Sequence, residues 1–354
     1  MGSLHSVDNQ LELYPQSAIL RELTAMSIHP RAFHLVQKPE GVPKISDFEL
    51  LDVTLTAPAE GEVLVENLYM SVDPYMRGRM RFMPPGSPMF GAAVGRVLES
   101  RNPEFPEGCY VLNPHSWHSH FVETSKALTR LDPDLAPLPS FLGVMGMPGL
   151  TAWGGLLITG AYQDGETLFV SAASGAVGSL VGQIAKLKGG TVIGSAGSDE
   201  KVNQLKTEFG FDHAFNYKTA DPLKELRSAA PDGIDVYFEN VGGAQLEAAL
   251  THMRPHGRIP ICGMIAHYND HGEPSPGPRN LTETIYKFIT LKGFVVSAFE
   301  SERPTFQAQM AAWIKSDDIR YRETIFEGLE SAPDAFIGLF SGANNGKMLV
   351  HLAD

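Results

Sequence analysis

Cysteine is nearly absent: Cys109 and Cys262 are the only two in 354 residues. Two distant thiols make no disulfide framework and cannot supply a four-thiolate zinc site. A reducing compartment fits, and a cytoplasmic location is expected. Positive charge is also scarce. The 28 Lys and Arg against 41 Asp and Glu leave a net charge of −13. That balance repels nucleic acid and anionic membranes, although a local basic patch could still hold a phosphate. No apolar run reaches the roughly 18 residues of a membrane span. The first residues lack the basic start and apolar core of a secretory signal, and the Arg-rich character of a transit peptide. Residues 1–30 are expected to form a flexible or loosely docked arm.

What is present changes character along the chain. Residues 31–37, 61–69, 94–98, 108–112 and 118–123 read as short strands between Pro/Gly turns, which suggests a small, partly open β-barrel. The run Pro84-Pro85-Gly86-Ser87-Pro88 reads as a mobile loop. From about residue 149, strands and helices alternate. Strands are expected at 167–171, 191–194, 213–215, 234–238, 258–262 and 291–296. The helices between them are expected at 176–188, 199–209, 222–229, 244–253 and 281–290. This pattern predicts a doubly wound parallel sheet of α/β class. Further helices are expected at 304–314 and 333–340, the last capped by Ser331. A closing strand at 347–351 returns to the β domain, so the nucleotide domain (149–322) is inserted into the β domain (31–148 plus 323–354).

One stretch organises the rest. Residues 167–190 read as a buried strand, a small-residue turn and a helix. Ala173-x-Gly175-x-x-Gly178 is a dinucleotide fingerprint with Ala in first place. Gly175 lets a pyrophosphate approach the backbone, and Gly178 lets the helix lie close to the strand. The helix N-terminus favours the anion. In NAD enzymes an acid about 20 residues on holds the ribose 2′-hydroxyl. Here the second strand runs into Gly194-Ser195-Ala196-Gly197. Asp199 and Glu200 look like a helix start instead. Lys201 and Tyr217 are placed to take a 2′-phosphate, so NADPH is the expected cofactor.

At this point four motifs resemble those of the zinc-independent medium-chain reductases: YMSVDPYMRGRM (69–80), GVMGMPGLTA (143–152), ENVGG (239–243) and GANNGK (342–347). That group includes prostaglandin reductases, plant alkenal double-bond reductases and bacterial curcumin reductases, and the likeness looks closest to the last. It covers the chain from about Arg31 onward. It implies a Rossmann domain inserted into a GroES-like domain, NADPH-dependent reduction of a carbon–carbon double bond conjugated to a carbonyl, and homodimers. By motif, Gly175, Ala176, Val177 and Gly178 would cradle the pyrophosphate. Asn240 would contact the cofactor near the ribose. The cofactor loop after the fifth strand corresponds to residues 262–268, which include Cys262, Gly263 and Tyr268. Phe294, Val295, Val296 and Asn344 match positions flanking the nicotinamide. The chain departs from its relatives in the N-terminal arm, at His267 and at 84–88.

Enone reduction needs hydride at the β-carbon, a donor for the enolate oxygen and a proton at the α-carbon. Tyr268 is the expected donor, with Tyr75 as runner-up. Arg77 could orient substrate or lock the motif by pairing with Asp73, and the structural role is favoured. His267 reads as a polar wall. The cluster His115, Trp117, His118 and His120 matches no standard zinc set, so no metal is expected. Trp117 should line a pocket or pack the core, with the histidines at the rim. The Gly-His-Glu of zinc-containing relatives is absent. The alternatives are a quinone oxidoreductase on the same architecture, or an NADPH-binding structural or partner-binding protein without catalysis.

Overall fold

The computed structural model describes residues 28–272 and 275–353. The expectation for the N-terminal arm therefore lies largely outside the described residues.

The chain first builds β1 (Arg31–Leu35), β2 (Phe48–Asp52) and β3 (Glu62–Ser71). A short helix, α1 (Tyr75–Met80), follows, then β4 (Ser87–Pro88), β5 (Ala93–Ser100), β6 (Tyr110–Asn113), β7 (His120–Thr124) and β8 (Thr129–Leu131). In β3 the apolar side chains alternate inward, as in a strand with one face on a core. The outer domain is two sheets and not a closed barrel. One has the order β2-β1-β4. The other is mostly antiparallel and includes two strands from the far end of the chain, β15 (Glu323–Glu327) and β16 (Lys347–His351), in the order β15-β16-β3-β5-β6-β8. Residues 84–88 are not free of structure, because Ser87 and Pro88 pair with Leu35 and His34.

Trp117 is fully buried in this domain's core. It stacks on Phe48 at 5.5 Å and meets Phe33 and Phe336 edge-on. It takes the core role expected of it, with no pocket wall. Phe336 belongs to α9 (Ala332–Ser341), so the C-terminal segment completes this core. Ser331 stands at the N-cap but does not cap; its hydroxyl donates to Gly328 O instead.

The chain crosses through α2 (Met147–Gly154) into the parallel sheet. Its strands are β9 (Thr167–Val170), β10 (Thr191–Ala196), β11 (His213–Asn216), β12 (Ile234–Phe238), β13 (Met253–Ile261) and β14 (Thr290–Gly293). The order β11-β10-β9-β12-β13-β14 is the doubly wound arrangement, with its switch point beside β9. All four residues of β9 are buried, as a central strand covered on both faces requires. The helices are α3 (Gly178–Leu187), α4 (Asp199–Thr207), α5 (Pro222–Ala229), α6 (Gly243–His252), α7 (Glu283–Tyr286) and α8 (Arg303–Lys315).

Three expectations are corrected. The helix expected at 281–290 is only one turn, α7, because Phe288 takes φ +53° and breaks it. The last strand ends at Gly293, short of Val296, and 296–302 coil into 3₁₀ turns. The fingerprint helix begins at Gly178, leaving Ala176 and Val177 in the turn.

Candidate active site

The glycine turn leaves β9 through Ala172, at φ +50°, and Gly175 N–H closes it on Ala172 O at 3.0 Å. A Cβ on Gly178 would stand 2.5 Å from Ala172 O and 2.8 Å from Ala173 Cα. Only glycine lets α3 start this close to the strand. No side chain caps α3, and although Ser179 N–H is taken by Gly175 O at 3.1 Å, the helix start still favours an anion. The turn is held from outside as well. Gly346 N–H donates to Ser174 O at 2.9 Å, and Asn344 Nδ2 folds back onto Gly346 O.

At the end of β10, Ser198 caps α4 by accepting from Lys201 N–H at 3.3 Å. The Lys201 ammonium donates to Gly342 O at 2.7 Å. Beside it, a Cβ on Gly197 would meet the Tyr217 hydroxyl at 3.2 Å and Lys218 Cε at 3.4 Å. Burial, and then the Lys218 charge, pull the Lys201 pKa down. The Tyr217 phenol and the Lys218 side chain therefore border Gly197, and the Lys201 ammonium, held at Gly342 O, lies within range of the Lys218 charge. Asp199 is turned aside, accepting from Asn216 Nδ2 at 2.8 Å. This surrounding suits a phosphate better than a bare ribose hydroxyl. Lys218 was not singled out in the sequence; its signal is its place directly after Tyr217 in the same post-strand loop.

The opposite end is built from the loops after β12 and β13. Asn240 donates from Nδ2 to Ser171 O (2.8 Å) and from its backbone to Ser171 Oγ (3.0 Å). Cys262 and Gly263 donate their N–H groups to Glu239 O at 2.9 and 3.2 Å. The Cys262 thiol is pushed up to about 12, first by burial and then by Glu239, so it is inert as a nucleophile. The Tyr268 phenol folds back toward Gly263, 2.8 Å from where a Cβ would be. Burial, above all, raises its pKa, which keeps it a neutral donor. His267 Nδ1 lies 3.3 Å from Asp270 Oδ2, and its other face packs on Gly242.

From the outer domain, α1 presents Tyr75 at its first position. Burial, and then Asp73, hold its phenol well above the usual tyrosine range. The expected Arg77–Asp73 pair does not form. Asp73 instead takes Lys347 at 3.0 Å and the Ser71 hydroxyl. Arg77 is buried and donates to Gly41 O (2.9 Å), Pro39 O (3.2 Å) and Asn269 Oδ1 (3.1 Å). One residue beyond α1, Arg81 Nη2 donates to Tyr268 O at 3.2 Å. These bonds dock α1 against the tyrosine loop. Beside these contacts, residues 38–40, Arg77, Arg81 and residues 270–272 line a cleft of about 320 Å³, which neither Tyr268 nor Tyr75 borders.

Phe294 turns its ring inward, edge-on to Phe238 at 6.1 Å, and Val295 is exposed. Among the described residues, no group of three or more His, Cys, Asp or Glu side chains is placed to hold a metal. His115 and His120 pair with Glu123 and Glu66, and His118 bonds Ser116 O.

The family model for the N-terminal domain of oxidoreductase matches residues 31–131, and that for zinc-binding dehydrogenase matches 176–316. Prostaglandin reductase 1 of Bos taurus is 47% identical over 328 residues, 91% of this chain and 99% of that protein. The NADPH-dependent curcumin reductase of Escherichia coli is 42% identical over 336 residues, 91% of this chain and 97% of that one. CurA from Vibrio vulnificus, solved in complex with NADPH, superposes with a TM-score of 0.86 at 40% identity, covering 92% of this chain and 99% of its own. Prostaglandin and curcumin reductases thus both resemble this chain over nine-tenths of its length.

Proposed function

The chain belongs to the zinc-independent medium-chain reductases, the group of prostaglandin, alkenal and curcumin reductases, and from that premise we propose that it reduces the double bond of α,β-unsaturated ketones or aldehydes with NADPH. The observation that carries this reading is that Tyr217 and Lys218 border Gly197 while the Lys201 ammonium, within range of the Lys218 charge, is held at Gly342 O, with the nearby acid turned away. It is a setting for a 2′-phosphate, with the start of α3 uncapped by any side chain and a half-buried, neutral phenol at the other end.

Gly175, Ala176, Val177 and Gly178 would hold the pyrophosphate, Asn240 would contact the cofactor near the ribose, Cys262 and Gly263 belong to the cofactor loop, and the 294–296 segment with Asn344 would flank the nicotinamide. When bound, NADPH supplies the hydride that the β-carbon accepts. Tyr268 orients the carbonyl and donates to the oxygen as it gains charge. Tyr75 is the second candidate donor, from the α1 side. The α1–loop contacts through Arg77 and Arg81 hold the Tyr75 side of the site against the tyrosine loop.

The domain limits proposed are 31–148 with 323–354, and 149–322; the pairing of β16 with β3 supports them. A homodimer is proposed through the edge of β14. Tyr286 (80% exposed), Phe288, Ile285 and Val295 leave apolar surface beside that open strand. No described helix is long and apolar enough to cross a membrane. Two unpaired thiols support a cytoplasmic setting.

The test is loss of reduced-nicotinamide absorbance with a panel of enones, enals and quinones. Turnover of enones and enals supports this reading. Turnover of quinones alone, or binding without turnover, would replace it.

A further inference from the structure

Glu239 follows β12 directly and is fully buried. Its Oε1 accepts from Val241 N–H at 2.6 Å and Gly242 N–H at 2.8 Å. The Tyr237 and Ser171 hydroxyls lie 2.8 and 3.3 Å from the same oxygen. Its Oε2 is sealed from solvent and has no hydrogen-bond partner. Among the described residues, no Lys or Arg pairs with it. A buried acid with one crowded oxygen and one idle oxygen is costly to keep, so its position calls for a reason.

The reason lies in what it joins. The Ser171 hydroxyl beside Oε1 also accepts the Asn240 N–H at 3.0 Å, and Ser171 O accepts the Asn240 amide at 2.8 Å. The Glu239 carbonyl accepts from Cys262 and Gly263, and its N–H donates to Pro260 O. One residue thus binds the ends of β9, β12 and β13, three neighbouring strands whose loops carry Asn240, Gly263 and Tyr268. Without Oε1, the Val241 and Gly242 N–H groups would lose their acceptor. The turn they form also carries Gly242 at φ +83°, packed on His267.

We propose that Glu239 is a positioning residue for the reduction, acting through the acceptor oxygen that fixes the Asn240–Gly242 turn against the tyrosine loop. The inference rests on the reading above for the meaning of that site. The requirement is for an acceptor at the right reach, because Oε2 makes no bond and no cation answers the charge. Burial outweighs the hydrogen bonds and raises the acid's pKa, in keeping with a group whose charge is not its use.

Two near-isosteric variants separate geometry from charge. Glu239→Gln keeps the oxygen and its reach. Glu239→Asp keeps the carboxyl but shortens it. With enone, Gln should hold kcat within about threefold of wild type, and Asp should lose about tenfold in kcat with little change in the enone KM. Amide hydrogen exchange in the cofactor-free protein supplies a readout independent of turnover. Val241 and Gly242 should exchange faster in Asp and as wild type in Gln. Asp equal to or better than Gln in both readouts would overturn the proposal, as would unchanged exchange and turnover in both variants. If the wild-type protein oxidises NADPH with no enone, the activity reading fails, while the exchange result still decides whether Glu239 holds the turn.

Discussion

Lys347 Nζ lies 3.0 Å from Asp73 Oδ1, with both side chains almost completely buried. The ammonium also donates to Val72 O and Met348 O, so all three of its protons are placed. This contact ties the closing strand β16 to the segment that leads into Tyr75. Removing one partner would strand a buried charge, which typically costs about 3–5 kcal/mol. Lys347→Met is therefore expected to lower unfolding stability by that order in a denaturant titration. Adding Asp73→Asn should recover part of the loss. Equal stability of wild type and Lys347→Met would show that the pair does not hold the strand.

The Lys201–Lys218 pair leads to a cofactor prediction. A charge-assisted hydrogen bond is worth about 1.5–3 kcal/mol, roughly 10- to 150-fold in affinity. Lys201→Ala should weaken NADPH binding within that range and leave NADH nearly unchanged, as read by fluorescence titration. Lys218→Ala should do the same to a smaller degree, because its side chain is the more exposed. Parallel losses for both nucleotides would remove the 2′-phosphate from the argument.

Much of this was legible from residues alone, and for a clear reason. Strand β9 is a continuous apolar run, α5 begins at Asp221-Pro222 with the Asp capping two N–H groups, and β16 is bounded by Gly346. These are local signals. Nearness in sequence pairs Asp73 with Arg77, whereas its partner Lys347 lies 274 residues away. Arg77 in turn reaches Asn269, 192 residues away. No periodicity reports contacts of that kind. The misread helix at 281–290 failed on one backbone angle, at Phe288, which composition does not reveal.

Tyr268 gives a prediction with a sign in pH. A phenol donates only while protonated, and burial moves its pKa up from the ordinary value of about 10. The donor is thus present through neutral and mildly alkaline pH and is lost only as pH rises through the raised value. The kcat for an enone should not fall below about pH 9 through this group. Tyr268→Phe should lower kcat by about 10²- to 10³-fold, the usual effect of deleting an oxyanion donor. NADPH affinity should stay near wild type. Unchanged turnover in Tyr268→Phe would pass the role to Tyr75.

The two fingerprint glycines should respond differently to a methyl group. At Gly178 a Cβ would press on Ala172 O and Ala173 Cα, both backbone atoms that cannot swing aside. At Gly175 the nearest atom to a Cβ is Ala172 O at 3.2 Å, a contact relieved by a small shift. The added methyl there would instead point toward the space a pyrophosphate needs. Gly178→Ala should therefore lower the melting temperature of the cofactor-free protein and weaken NADPH together. Gly175→Ala should leave the melting temperature within a few degrees and weaken NADPH alone. Thermal unfolding with and without NADPH checks both. A Gly175→Ala protein that binds NADPH as wild type does would mean that the pyrophosphate sits elsewhere on the turn.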